Sequence, residues 1–139
     1  MVREETRTEV GLILETGEPR DVHHFACLIG YGVGAINPYL VVESLVDMER
    51  EGFFPETVDA ATAESRFIKA INKGLLKIFS KMGISTLQSY CGGQIFEAIG
   101  LRSDLVDRYF TGTASRIEGI GIQELGEETL RRHALAYQP

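Results

Sequence analysis

The uncharged polar groups best spaced for chemistry are Ser85, Thr86, Gln88, Ser89 and Tyr90, all within the run ISTLQSYCGGQ at 84–94. Hydroxyls and amides gathered at the carboxyl end of a strand can hold a small polar ligand or face a neighbouring domain. Asn37, at the end of the short run AIN, is placed in the same way. The stretch Tyr90-Cys91-Gly92-Gly93-Gln94 has the order of an anion loop. Two glycines ahead of a helix can aim backbone N–H groups at a carboxylate or phosphate. No basic residue stands in that loop, and close backbone packing is the simpler use of the glycines.

Other signals carry less. GYGVGA (30–35) invites a dinucleotide-loop reading, but that fingerprint runs strand, glycines, helix. Here a helix precedes the glycines and a strand follows, so a helix C-cap and tight turn is expected. His23-His24 suggests a metal, yet adjacent helical side chains diverge by about 100°. One histidine is expected at the core edge, the other at the surface or a domain contact. Cys27, in FACLIG, reads as a small core residue. Cys91 reads as a packed turn residue ahead of a helix N-terminus, where a thiolate would be stabilised. With two cysteines, the chain alone cannot ligate an iron–sulfur cluster. No nucleophile elbow or triad signature is present. The adjacent carboxylates Glu4-Glu5 and Glu127-Glu128 diverge and form no acid/base pair.

Lys69, Lys73, Lys77 and Lys81 recur every fourth residue and, with Arg66, form a basic stripe. Such a stripe is usually a solvated helix face. Its sharper reading is a docking face for an acidic partner domain.

The elements that position these residues follow from hydrophobic periodicity. VGLILETG (10–17) reads as a strand. Pro19 suits a first helical turn leading through FACLIGYG. AIN (35–37) reads as a second strand, and PYLVVESLVDMEREG as a helix. A long helix is expected from about Ala60 to Met82. Phe67, Ile68, Ile71, Leu75, Ile78, Phe79 and Met82 fall within an arc of about 120° on a helical wheel. The lysines lie opposite, and Leu76 alone breaks the separation. ISTLQSY (84–90) reads as a third strand and QIFEAIG (94–100) as a short helix. Ser103 is placed to cap a helix through DLVDRYF. TGTASRIEGIGI reads as a glycine-rich connection. A last helix at about 123–137 carries Glu127–Arg131 and Glu128–Arg132 at favourable spacing.

Strands alternate with helices and no hairpin signal appears. The expected fold is α/β: a few-stranded parallel sheet of βα units, resembling part of a (βα) barrel. Residues 1–139 are expected to form a single domain or segment. The formal net charge is −6, which argues against a phosphate-backbone binder, so no nucleic-acid partner is expected. No apolar run approaches the roughly 18 residues of a membrane span. MVREETRTEV is charged throughout and unlike a signal peptide, so a cytoplasmic protein is expected.

Four segments carry a family resemblance: TRTEVGLILETGEPRDVHHFACLIGYGVGAINPYL, FIKAINKGLLKIFSKMGISTLQSYCGGQIFEAIGL, DRYFTGTASRIEGIG and ETLRRHA. In one colinear run they resemble the C-terminal part of the central domain of the glutamate synthase large (alpha) chain. The resemblance implies an enzyme that makes glutamate from glutamine and 2-oxoglutarate, with FMN and an iron–sulfur cluster. Ammonia passes there by an internal tunnel from an amidotransferase domain to the FMN-binding domain. The family's catalytic cysteine begins its mature chain, whereas this sequence begins Met1-Val2. No catalytic, cofactor or metal residue carries over. The resemblance therefore implies a segment, probed by neither chemistry nor cofactor of its own, that scaffolds between those two partner domains. Asn37, Ser85, Thr86, Gln88, Ser89 and Tyr90 are its candidates for lining the tunnel or a domain interface. Two other readings stand beside it: a free-standing small α/β module binding an anion at Tyr90–Gln94, and a homo-oligomeric interaction protein.

Overall fold

A computed structural model describes residues 4–138. They form two compact units that divide after Gly93. Each is built on a sheet of two parallel strands, with helices between strands, so the fold is α/β.

The first unit opens with a 3-10 turn at Arg7–Glu9. It continues with β1 (Ile13–Glu15), α1 (Val22–Gly30), β2 (Ala35–Asn37), α2 (Tyr39–Arg50), α3 (Ala60–Lys81) and α4 (Leu87–Tyr90). Ile13, Leu14 and Glu15 pair with Ala35, Ile36 and Asn37. Parallel pairing needs a crossover, and α1 supplies it. Asp21 starts α1 by accepting the His23 N–H at 2.8 Å, while His24 Nδ1 reaches back to accept the Asp21 N–H at 3.3 Å. That reciprocal arrangement satisfies amides a helix start leaves unpaired. The glycines after α1 close it as expected. The N–H groups of Tyr31, Gly32 and Val33 donate to the carbonyls of Cys27, Ile29 and Leu28, and Gly32 turns through φ +96°.

α1 packs on α3. Phe25 meets Phe67 edge-on, with ring centroids 6.0 Å apart, and Phe25, Ala26 and Leu75 are buried. Gly74 lets the helices approach, because a Cβ there would strike the Val22 side chain. Of the apolar arc of α3, Phe67, Ile71, Leu75, Ile78 and Phe79 are buried or half-buried, while Ile68 and Met82 stay exposed. Asp59 caps the helix by accepting the Thr62 N–H at 2.8 Å.

The second unit runs β3 (Glu97–Leu101), α5 (Ser103–Tyr109), β4 (Ala114–Ile120) and α6 (Ile122–Ala136). β3 and β4 are parallel, with register shifts on either side of Ile99. Gly100 has φ +77°, and a Cβ on Gly119 would drive into the Gly100 backbone. Leu105 and Val106 of α5 are the buried apolar side chains among the described residues of this unit.

Several expectations are corrected here. Residues 84–90 form no strand. Thr86 instead caps α4 by accepting the Ser89 N–H, the local bonding by which Ser and Thr compete with a ladder. Residues 97–101 are a strand, not a helix, because pairing with 114–120 overrides their weak helical pattern. The glycine-rich connection is β4 itself. Ser103 is the first residue of α5 rather than its cap. α1 begins at Val22, after a buried Pro19 that lies outside the helix.

Two outcomes are expected. Gly119→Ala forces β3 and β4 apart and should cost about 1–3 kcal/mol in urea unfolding. The Asp59 carboxyl is held below its ordinary value, first by the Thr62 bonds at the start of α3. Its contribution is therefore present above the unfolded carboxylate value near pH ~4 and is lost as pH falls through the lower folded value. Asp59→Ala should lower the thermal midpoint near neutral pH and change it little at about pH 2.

Candidate functional site

A cavity of about 400 Å³ lies between β2, α1 and α3. Phe25, Ile36, Phe67 and Ile71 make its wall apolar, while Asn37, Glu64 and Asn72 are polar groups on it. Asn37 stands at the carboxyl end of β2, as expected, and its carbonyl accepts the Thr16 N–H at 3.1 Å.

The other five candidates lie elsewhere. Ser85, Thr86, Gln88 and Ser89 are exposed on the turn after α3 and on α4, and none lines this cavity. Thr86 Oγ1 donates to Ser89 Oγ at 2.7 Å, so two of these hydroxyls serve the helix start. Tyr90 is only 1% exposed, and its ring tilts against Phe79 at 4.3 Å between centroids. Burial pushes its phenol above the ordinary value, with the Cys27 thiol adding to the shift. Tyr90 is a packing anchor that fixes α4 against the end of α3.

The anion-loop reading fails on geometry. The Gly92 N–H donates to the Gly30 carbonyl at 2.7 Å, and the Gly93 N–H donates to the Tyr90 carbonyl at 3.1 Å. The next element is β3, so no helix N-terminus faces the loop. Gly92 turns through φ +77°, the left-handed region that favours glycine.

Cys27 is exposed on α1 rather than part of the core. It borders a shallow cleft with Leu14, Pro19 and Leu28, and partial desolvation pushes its thiol up, away from a reactive thiolate. Cys91, half-buried, follows α4 and precedes no helix. His23 and His24 are both exposed, so neither sits at the core edge, and both bond around the start of α1. Among the described residues, no three His, Cys, Asp or Glu side chains are grouped to hold a metal ion. Lys69, Lys73, Lys77 and Lys81 are all exposed along α3.

Residues 1–102 match the family model of the glutamate synthase central domain. The chain belongs to that family. It is 51% identical over 138 residues to the large chain of NADPH glutamate synthase from Bacillus subtilis, which covers 99% of this chain and 9% of that protein. It is 46% identical over 143 residues to NADH glutamate synthase of Saccharomyces cerevisiae, covering 99% of this chain and 7% of that one. With ferredoxin-dependent glutamate synthase 1, chloroplastic/mitochondrial, of Arabidopsis thaliana, identity is 45% over 139 residues, 94% of this chain and 8% of the relative. The chain thus spans less than a tenth of the length of these relatives. No helix among the described residues is long and apolar enough to cross a membrane.

The cavity beside β2 does not fit the flavin that the glutamate synthase resemblance implies. The cavity beside β2 offers no basic group for a flavin phosphate and presents Glu64 instead. Two cysteines are too few for a cluster held by cysteine thiolates.

The sequence reading passed over one charged group in the second unit. Arg102, just after β3, donates from Nε and Nη2 to the two Asp104 oxygens, each at 2.7 Å. This bidentate bond holds Asp104 below its ordinary range and raises Arg102. Glu124 is held low by backbone amides, its own and that of Gly121, and accepts the Gly121 N–H at 2.9 Å. The Arg102 N–H donates to the Ile120 carbonyl at 2.9 Å. Arg-Ser-Asp directly after a strand was the available signal. The side chain of Arg102 thus ties the end of β3 to the start of α5, and its backbone N–H ties it to the end of β4.

The roles assigned to Tyr90 and its polar neighbours separate in one comparison. Tyr90→Ala should cost about 3–5 kcal/mol in urea unfolding, as for a buried aromatic. Ser85→Ala and Gln88→Ala should each stay within about 0.5 kcal/mol, as for surface sites.

Proposed function

We propose that this chain is a non-catalytic segment of a glutamate synthase, an oxidoreductase of glutamate biosynthesis and ammonia assimilation. It holds the amidotransferase and FMN-binding domains in register and walls the ammonia path between them. FMN and the iron–sulfur cluster belong to the rest of that enzyme, placed in the cytoplasm. The match of residues 1–102 to the central-domain family carries this reading. The relatives' far greater length is consistent with it.

Two physical features support a scaffold. A two-stranded parallel sheet is not independently stable, and parallel strands are normally covered on both faces. β1·β2 and β3·β4 have no further strand partner among the described residues. Large apolar side chains also stand open to solvent, among them Ile13 at 81%, Phe53 at 71%, Ile99 and Leu135. Such surface marks places where another protein part packs. In isolation the same surface drives homo-oligomer formation.

Asn37 is the best-placed candidate for facing the ammonia path, since it lines the cavity at the end of β2. Ser85, Thr86, Gln88 and Ser89, exposed together beyond α3, are assigned to a domain interface. The test begins with the native size, read by immunoblot of source-cell extract with antibody to this segment. A band far above 15.4 kDa is expected. A band at 15.4 kDa would overturn the reading. In the whole enzyme, Asn37→Ala should loosen the ratio of glutamate formed to glutamine hydrolysed without changing glutamine hydrolysis itself.

A further inference from the structure

Every lysine of the chain lies on one helix. Lys69, Lys73, Lys77 and Lys81 are the only four, and the ten other basic residues are arginines. They follow the exposed side of α3 over about 18 Å, at about 1.5 Å per residue. Like charges at i, i+4 repel one another. α3 carries a single acidic residue, Glu64, and none of the four lysines has a salt-bridge partner among the described residues. α6 is built differently: Glu127 and Glu128 precede Arg131 and Arg132 by four residues, so its exposed charges compensate. Solubility is served by mixed signs of the α6 kind. A face of one sign, in a chain of net charge −6, needs another account.

Leu76 supplies the second observation. It is 67% exposed and lies at the edge of the lysine stripe on α3, three residues after Lys73, with Asn72 and Ser80 one turn to either side. An exposed apolar group beside a row of charges is the usual make-up of a protein contact, with a desolvated centre and a polar rim.

We propose that this face of α3 docks on an acidic surface elsewhere in the same longer polypeptide, with Leu76 seated in an apolar recess. The inference rests on the scaffold reading and names the chemistry of one surface the segment meets. Carboxylates suit lysine, whose compact ammonium on a flexible stem needs no bidentate geometry, whereas phosphate recognition favours arginine. The acidic remainder of the chain also repels a nucleic-acid backbone. Leu76 would gain nothing against a polyphosphate.

Because lysine is confined to α3, lysine chemistry reads this face alone within residues 1–139, apart from the α-amino group. The experiment is carbodiimide coupling of the purified native polypeptide, followed by peptide mapping. Coupling of Lys73 and Lys77 to Asp or Glu of the same polypeptide, outside residues 1–139, is expected. So is acetylation of the four lysines at least tenfold slower than in the denatured polypeptide. Leu76→Ser, a surface change that leaves the charge intact, should cut the coupling yield about fivefold. The proposal is overturned if the lysines acetylate as fast as when denatured. It is also overturned if coupling reaches only a separate protein, or if Leu76→Ser leaves the yield unchanged. A denaturing gel of the same sample before coupling tests the parent reading by itself. A polypeptide of 15.4 kDa there ends the scaffold reading whatever the lysines do.

Discussion

Residues 4–93 depend on the contact between α1 and α3. β1 and β2 are three residues each, and so short a parallel pair cannot hold a fold together. What fixes them is the helix between them, and what fixes that helix is α3. Gly74 permits the approach, the Phe25–Phe67 edge contact orients it, and Leu75 fills the space beneath. Aromatic pairs of this kind add about 0.5–1.5 kcal/mol beyond the area they bury. Tyr90 against Phe79 extends the same packing to the far end of α3 and sets the place of the turn that follows. Asn37 and the cavity beside it owe their geometry to this one helix pair.

The second unit is held by a different device. There the strands approach through glycine backbone, with Gly119 against Gly100, the Arg102 N–H joins the strand ends at the Ile120 carbonyl, and the Arg102 guanidinium holds Asp104 at the start of α5. Among the described residues no three His, Cys, Asp or Glu side chains are grouped to hold a metal ion, and the Gly92 and Gly93 amides are taken by backbone carbonyls. Asp21, Asp59 and Thr86 are engaged at helix starts.

Elements with long periodic patterns were legible in the sequence. α2 and α3 were readable from apolar spacing over several turns, α6 from its Glu–Arg pairs, and the glycine C-cap after α1 from its order. The stretch from Ile84 to Ile120 was not, for local reasons. Ser85, Thr86 and Ser89 suit a strand face and a helix cap equally, and Thr86 chose the cap. QIFEAIG has too few residues for its period to distinguish helix from strand, so its pairing with β4 decided the matter. Gly119 reads as a break in sequence, yet it is what a close strand needs. The place of Asn37 at the end of β2 was legible from the short strand and the proline after it. The burial of Tyr90 was not, because it comes from Phe79, a contact no polar pattern announces.

The confinement of lysine to α3 also governs how the chain meets proteases. An endoprotease that cuts only after lysine has three of its four cleavage sites inside one helix and the fourth at that helix's last residue. A folded helix resists cleavage, because a protease must bind several residues in extended form. Digestion therefore waits on the opening of α3, and its rate follows the population of that open state. Since α3 is also the helix on which α1 rests, clipping after Lys69, Lys73 or Lys77 would report the loosening of the first unit's core.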